Sequence, residues 1–212
     1  MGEDGGQSFV KFICPPDSKM KLGESMTQMN KTRRLILISL LSAIAFILMF
    51  LKVPVPFLPP YLTIDISDLP AIIALFTLGP VGAVIVEGIK NLLNFAMNMT
   101  DPIGPIANFL AGTSFILTLF AVTKGRFVNI ILGFGLATIV MTIVMSIMNY
   151  FVLLPMYGMI MNLSDVVKNV QVIVTAGIIP FNVIKGALLT ILFFIVVKPL
   201  VPLLNKQMRN NR

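Results

Sequence analysis

The sequence predicts an all-α polytopic membrane protein with six transmembrane helices and cytoplasmic N- and C-termini. Three observations lead there. The 212 residues are 57% hydrophobic and only 12% charged, with a mean hydropathy of +0.94. Apolar runs of roughly 17 to 30 residues recur along the chain, and about 20 helical residues cross a bilayer. Lysine and arginine gather on alternate connections, the bias of cytoplasmic loops. The short alternating strands of a membrane β-barrel do not occur.

Taken in order, residues 1–30 form a polar leader, an extension or disordered segment without the apolar core of a secretory signal. Residues 31–205 hold the six helices, and 206–212 are a basic cytoplasmic tail. The first span, about 33–51, follows Lys31, Arg33 and Arg34. Ser39 and Ala43 stand four apart in it, with Ser42 and Ala45 nearby, a spacing that lets another helix approach closely. That helix can belong to this chain or to a partner. Residues 52–67 carry Pro54, Pro56, Pro59 and Pro60, which hold the segment extended. It is either a stiff connector or a lid over a pocket, since irregular backbone at membrane depth needs protein or a cavity beside it.

The second span, about 67–79, opens on Ser67-Asp68-Leu69-Pro70, with Ser67 or Asp68 as N-cap and Pro70 in the first turn. Gly79-Pro80 marks a turn, and the third span runs about 80–97. The fourth covers about 104–123, the fifth about 127–154 and the sixth about 176–197. A cytoplasmic N-terminus puts Lys31, Arg33, Arg34, Lys124, Arg126, Lys198, Lys206, Arg209 and Arg212 inside, and leaves only Lys52 and Lys168 in outer loops. The basic residues therefore orient the chain in the lipid bilayer of a cell membrane, and its net charge of +7 is no sign of nucleic-acid binding.

Missing chemistry narrows the function. Histidine is absent, and the single cysteine, Cys14, lies in the leader. That removes histidine acid–base catalysis, His/Cys metal sites and internal disulfides. No Gly-x-x-x-x-Gly-Lys-Ser/Thr loop occurs, so ATP hydrolysis is not expected of this chain. It reads as a non-enzyme with neither cofactor nor metal.

Ionisable residues inside spans cost about 2.5–3.5 kcal/mol each and usually face the bundle interior. Glu87 and Lys90, at i, i+3, can neutralise each other as a structural ion pair. Lys185 has no acidic neighbour in its own span. It lies about 12 Å below the outer end of that span, either locked to Glu87 or a carbonyl, or lining a solute pocket. Asn182 shares its face. Thr142, Ser146 and Asn149 form a stripe on the fifth span, and Asn91, Asn94 and Asn98 on the third. The amides and Lys185 converge on the outer half, which describes a cavity open to the outside. No comparable polar column continues inward, as a channel or proton relay would need. The expected site is a blind cup.

Three segments, "IDISDLPAIIALFTLGPVGAVIVEGIKNLLNF", "MNYFVLLPMYG" and "IPFNVIKG", resemble the substrate-binding S components of energy-coupling factor (ECF) vitamin transporters. The Asn-Tyr-Phe and Pro-Phe-Asn-x-x-Lys motifs are similar to those of the riboflavin-specific branch. The resemblance covers about 30–205. It implies capture of riboflavin, as transported ligand, from the outer side of a bacterial plasma membrane. The implied partners are a transmembrane coupling protein and two cytoplasmic ATPases. On the matching positions it implies binding groups at Asn149, Asn182 and Lys185, with Tyr61, Leu62, Thr63 and Asp65 closing over the ligand, and a docking surface at Ser39 and Ala43. Asn94 joins the expected site from its place on the third span. An amide offers both donor and acceptor to the flavin edge, and Lys185 offers donors. No basic cluster awaits a phosphate, so free riboflavin is expected over its phosphate ester. The alternatives are an S component for another vitamin or flavin analogue, an intramembrane enzyme using Glu87, Lys90 and Lys185, or an assembly protein without ligand.

Overall fold

The computed structural model describes residues 31–55, 62–97, 101–124, 129–160 and 169–197. The leader, the tip of the proline-rich loop, the basic tail, and the expectations that fall on Asn98, Arg126, Lys168 and the basic residues beyond 197 lie outside them. The described elements are α1 (Lys31–Leu48), a minimal hairpin of β1 (Val53–Pro54) and β2 (Thr63–Ile64), and α2 (Leu69–Met97). There follow α3 (Ile103–Thr123), α4 (Ile130–Ile160) and α5 (Val170–Val196). Helices α2 to α5 are each long and apolar enough to cross a membrane, so the chain is a helical multi-pass membrane protein.

The two described ends of the proline-rich loop form short strands. Val53 pairs with Ile64 and Pro54 with Thr63 in antiparallel register. Helix α2 is broken at Gly79, whose φ of 84° and ψ of 178° are open essentially to glycine alone. Pro80 then restarts the helix, its missing N–H costing nothing in a first turn. The chain reverses there. In an unbroken helix Asp68 and Lys90 would stand about 33 Å apart, yet their side chains form an ion pair. The two arms, residues 69–78 and 80–97, are the second and third spans of the sequence reading, joined without a loop.

Two helices run further than the spans read from the sequence. α4 continues six residues past 154, and α5 begins six residues before 176. In each, a π-helical turn ends two residues before a proline: Asn149–Leu153 before Pro155, and Val174–Ile178 before Pro180. A proline ring clashes with the carbonyl four residues back. Widening the preceding turn, with Leu154 N–H donating to Asn149 O and Ile179 N–H to Val174 O, absorbs the ring without breaking the helix. The earlier start places Lys185 roughly 9 Å deeper from the helix end than the sequence indicated.

Each helix packs on the next in chain order, and the last turn of α5 returns to α2. Phe193 lies 5.4 Å from Phe76 of α2 and 4.8 Å from Phe134 of α4, which in turn is 5.7 Å from Phe115 of α3. All four rings are buried and seal that end of the bundle. Leu35, Leu92, Ile139 and Ile191 are exposed on the outer faces, the surface a lipid-facing helix presents. In α1, Ile38, Ser42 and Ala45 turn inward, whereas Ser39 and Ala43 face outward. Among the described residues, none covers the small pair.

Gly112 of α3 lets the buried Glu87 lie flat against it. A methyl there would come 2.6 Å from Glu87 Oε2. Gly112→Ala should therefore cost about 1–3 kcal/mol, the usual penalty for overpacking, seen as a lowered melting temperature in detergent. An unchanged melting temperature would show that α2 and α3 have slack at this point.

Candidate ligand-binding site

A cavity opens where the hairpin, the first residues of α3 and the later halves of α4 and the second arm of α2 meet. The hairpin contributes Leu62, Thr63 and Asp65, α2 contributes Asn94, α3 Asn108, α4 Asn149 and Tyr157, and α5 Phe181, Asn182 and Lys185. Apolar walls come from Met49, Ala111, Met145, Leu154 and Ile178. Leu62, Thr63, Asp65, Asn94, Asn149, Asn182 and Lys185, all expected at the site from the sequence, thus border one space. Tyr61 lies outside the described residues. The buried rings of Phe76, Phe115, Phe134 and Phe193 do not border the cavity.

Beside the cavity sits a buried charge network centred on Asp68. Its Oδ1 pairs with Lys90 and its Oδ2 lies 2.8 Å from Lys185 Nζ. Lys90 is also 2.9 Å from Glu87 Oε1 and donates to Ser67 Oγ at 3.0 Å. Asn91 Nδ2 donates to the Glu87 carbonyl at 2.9 Å and to its Oε2 at 3.3 Å. The expected Glu87–Lys90 pair is present. The partner of Lys185, however, is Asp68 and not Glu87, and Asp68 does not cap its helix with its side chain. Asp65 instead folds the backbone before α2, accepting from Ser67 N–H at 2.9 Å and from the Ser67 hydroxyl. Lys185 also donates to Asn108 Oδ1 at 2.7 Å.

The amides offer less than free amides would. Asn149 Nδ2 donates to Met145 O and Asn182 Nδ2 to Ile178 O, both at 2.8 Å. Each amide nitrogen thus gives one of its two N–H groups to its own helix, and the oxygen and the second N–H remain for whatever fills the cavity. The Thr142 and Ser146 hydroxyls likewise donate to carbonyls four residues back, at 2.7 Å each, and do not reach the cavity. Sequence reasoning missed Asn108, Asp68 and Tyr157. Tyr157 donates to Asp101 Oδ1 at 3.0 Å beside the cavity. A lone amide in the apolar α3 was the available signal for Asn108.

Polar groups converging on a pocket in a membrane bundle define a protein that holds a solute rather than one that conducts ions. Comparison with known proteins narrows that class. The family model for the substrate-specific component of ECF transporters matches residues 33–197, and the chain belongs to that family. It is 54% identical over 186 residues to the riboflavin transporter RibU of Staphylococcus aureus (strain TCH60), spanning 87% of this chain and 98% of the relative. It is 43% identical over 189 residues to the riboflavin transporter FmnP of Bacillus subtilis (strain 168), spanning 84% and 96%. A solved S component of a bacterial ECF transporter superposes with a TM-score of 0.72 at 53% identity, covering 82% of this chain and 99% of that one.

Lys90 is fully buried between two carboxylates. Lys90→Met should destabilise the bundle by about 3–5 kcal/mol, because it leaves a buried carboxylate uncompensated. Adding Glu87→Gln should recover part of that loss. Thermal melts of the two single variants and the double check it, and strictly additive losses would argue against a shared network.

Proposed function

We propose that this protein is the riboflavin-binding S component of an ECF uptake transporter, capturing the vitamin at the outer face of a bacterial cell membrane. Counting the arms of α2 as separate spans gives six, with both termini cytoplasmic and the cavity facing outward. The observation that carries the reading is the cavity itself. Its residues include the motif positions Asn149, Asn182 and Lys185, in a chain 54% identical to a riboflavin transporter.

The chemistry fits a flavin. Met145, Leu154, Ile178 and Phe181 suit the flat dimethylbenzene end of the ring. Lys185 donates to carbonyl or ribityl oxygens, while the Asn149 and Asn182 oxygens accept from N–H or O–H groups. The segment with Leu62, Thr63 and Asp65, preceded in sequence by Tyr61, closes over the ligand; Asn94 completes the wall. Asp65 and Asp101 border the cavity along with Lys52 and Lys185, so no surplus of positive charge favours a phosphate ester.

The chain performs no catalysis in this reading. Its intramembrane charges are engaged with one another, and ATP is hydrolysed by two cytoplasmic partner subunits. A transmembrane coupling protein docks on the outward stripe of α1, where Ser39 and Ala43 leave the backbone approachable.

Riboflavin should bind the purified protein one to one, read by quenching of flavin fluorescence. Lys185→Ala and Asn182→Ala should each raise Kd about 10- to 100-fold, the equivalent of about 1–3 kcal/mol for an unsatisfied polar partner. No saturable quenching by the wild type would end the proposal. For docking, Ala43→Trp should leave riboflavin binding intact and abolish ATP-driven uptake in vesicles containing the complete transporter. Undiminished uptake would remove Ser39 and Ala43 from the interface.

A further inference from the structure

Two buried side-chain atoms around the cavity have no hydrogen-bond partner. Among the described residues that border it, these are Asn108 Nδ2 on α3 and Asn182 Oδ1 on α5. Neither orientation is arbitrary. An ammonium can only donate, so Lys185 must face the oxygen of Asn108, as it does at 2.7 Å, and the amide nitrogen is turned the other way. A backbone carbonyl can only accept, so Asn182 gives its nitrogen to Ile178 O and keeps its oxygen free. The chain thus holds one unmatched donor and one unmatched acceptor on two helices bordering the same space. Buried polar groups are normally paired, and each unpaired one weighs against the empty state. An occupant with a carbonyl beside an N–H satisfies both at once.

We propose that Asn108 is a specificity-determining residue of this site, presenting its amide nitrogen to a ligand carbonyl while Asn182 accepts from the adjacent N–H. Asp68 is the positioning residue behind it: it fixes Lys185 at 2.8 Å, and Lys185 fixes the Asn108 amide. Asp68 does not border the cavity and acts only through that chain. The inference rests on the riboflavin reading, because the pyrimidine ring of a flavin carries such a carbonyl–imide edge. It goes further in naming the groups that read the edge and the carboxylate that aims them.

Asn108→Asp separates orientation from folding. It keeps an acceptor for Lys185, changes the size of the side chain little, and replaces the outward donor by an acceptor. In titrations of the full chain in detergent, Asn108→Asp should raise the riboflavin Kd at least tenfold without lowering the ligand-free melting temperature. The same factor should appear with lumiflavin, which keeps the ring edge and lacks the ribityl chain. Asp68→Asn should weaken riboflavin binding comparably, and the double variant should bind no worse than the weaker single one. Asp68→Glu, which keeps the charge, should recover part of the affinity and serves alone if Asp68→Asn does not fold. Wild-type affinity in Asn108→Asp, a loss confined to riboflavin, or losses that multiply in the double variant would overturn the proposal while leaving the riboflavin reading standing. Failure of the wild type to bind riboflavin would overturn both.

Discussion

The carboxylate of Asp68, shared between Lys90 and Lys185, is the interaction on which the rest of the structure depends. Two ammonium groups in an apolar bundle are each costly, and each becomes tolerable only beside a fixed negative charge. One small side chain at the start of α2 supplies part of that charge to both ammonium groups. Through Lys90 it ties the second arm of α2 back to the first. Through Lys185 it ties α5 to the foot of the hairpin. The reversal at Gly79 is a condition for that arrangement, since without it Lys90 and Asp68 could not meet.

This explains why the protein can keep so polar a cavity inside so apolar a chain. The side chains divide into an inner set, which neutralise one another, and a bordering set, whose remaining valences point to a guest. Lys185 belongs to both. Its bond to Asp68 satisfies the bundle and its place on the cavity wall serves the solute. The amides follow the same economy: each gives one end to its own helix or to Lys185 and keeps the other. A pocket so built would select by hydrogen-bond polarity as much as by shape, because Lys185 turns the Asn108 oxygen toward itself and Ile178 O leaves the Asn182 oxygen free.

Much of this was legible in the sequence. Composition and charge placement identified a helical membrane protein, and the positions of Asn149, Asn182 and Lys185 were enough to mark the pocket. The partner of Lys185 was not legible. Asp68 stands two residues before a proline at a helix start, where a carboxylate ordinarily caps, and only the folded chain reveals that it faces lysines 22 and 117 residues later. The ends of α4 and α5 were misplaced for a local reason. Both helices carry a proline, Pro155 and Pro180, and a widened turn in front of each lets the helix pass. Nor could the sequence tell which end of an amide faces inward, since that depends on the carbonyl or ammonium it meets in the folded chain.

Those widened turns have a consequence of their own. A turn that holds one residue more than its neighbours shifts the angular phase of everything beyond it, by about 100° per residue. On α4, Met145 and Tyr157 lie on opposite sides of such a shift and still border the same cavity. The floor and the rim of the pocket are therefore set in two rotational frames joined at Asn149. A single-residue insertion or deletion at that joint would re-aim the rim while leaving the floor where it is. For a fold whose relatives must distinguish one small solute from another, that offers a way to change what the mouth of the pocket admits without disturbing the charges beneath it.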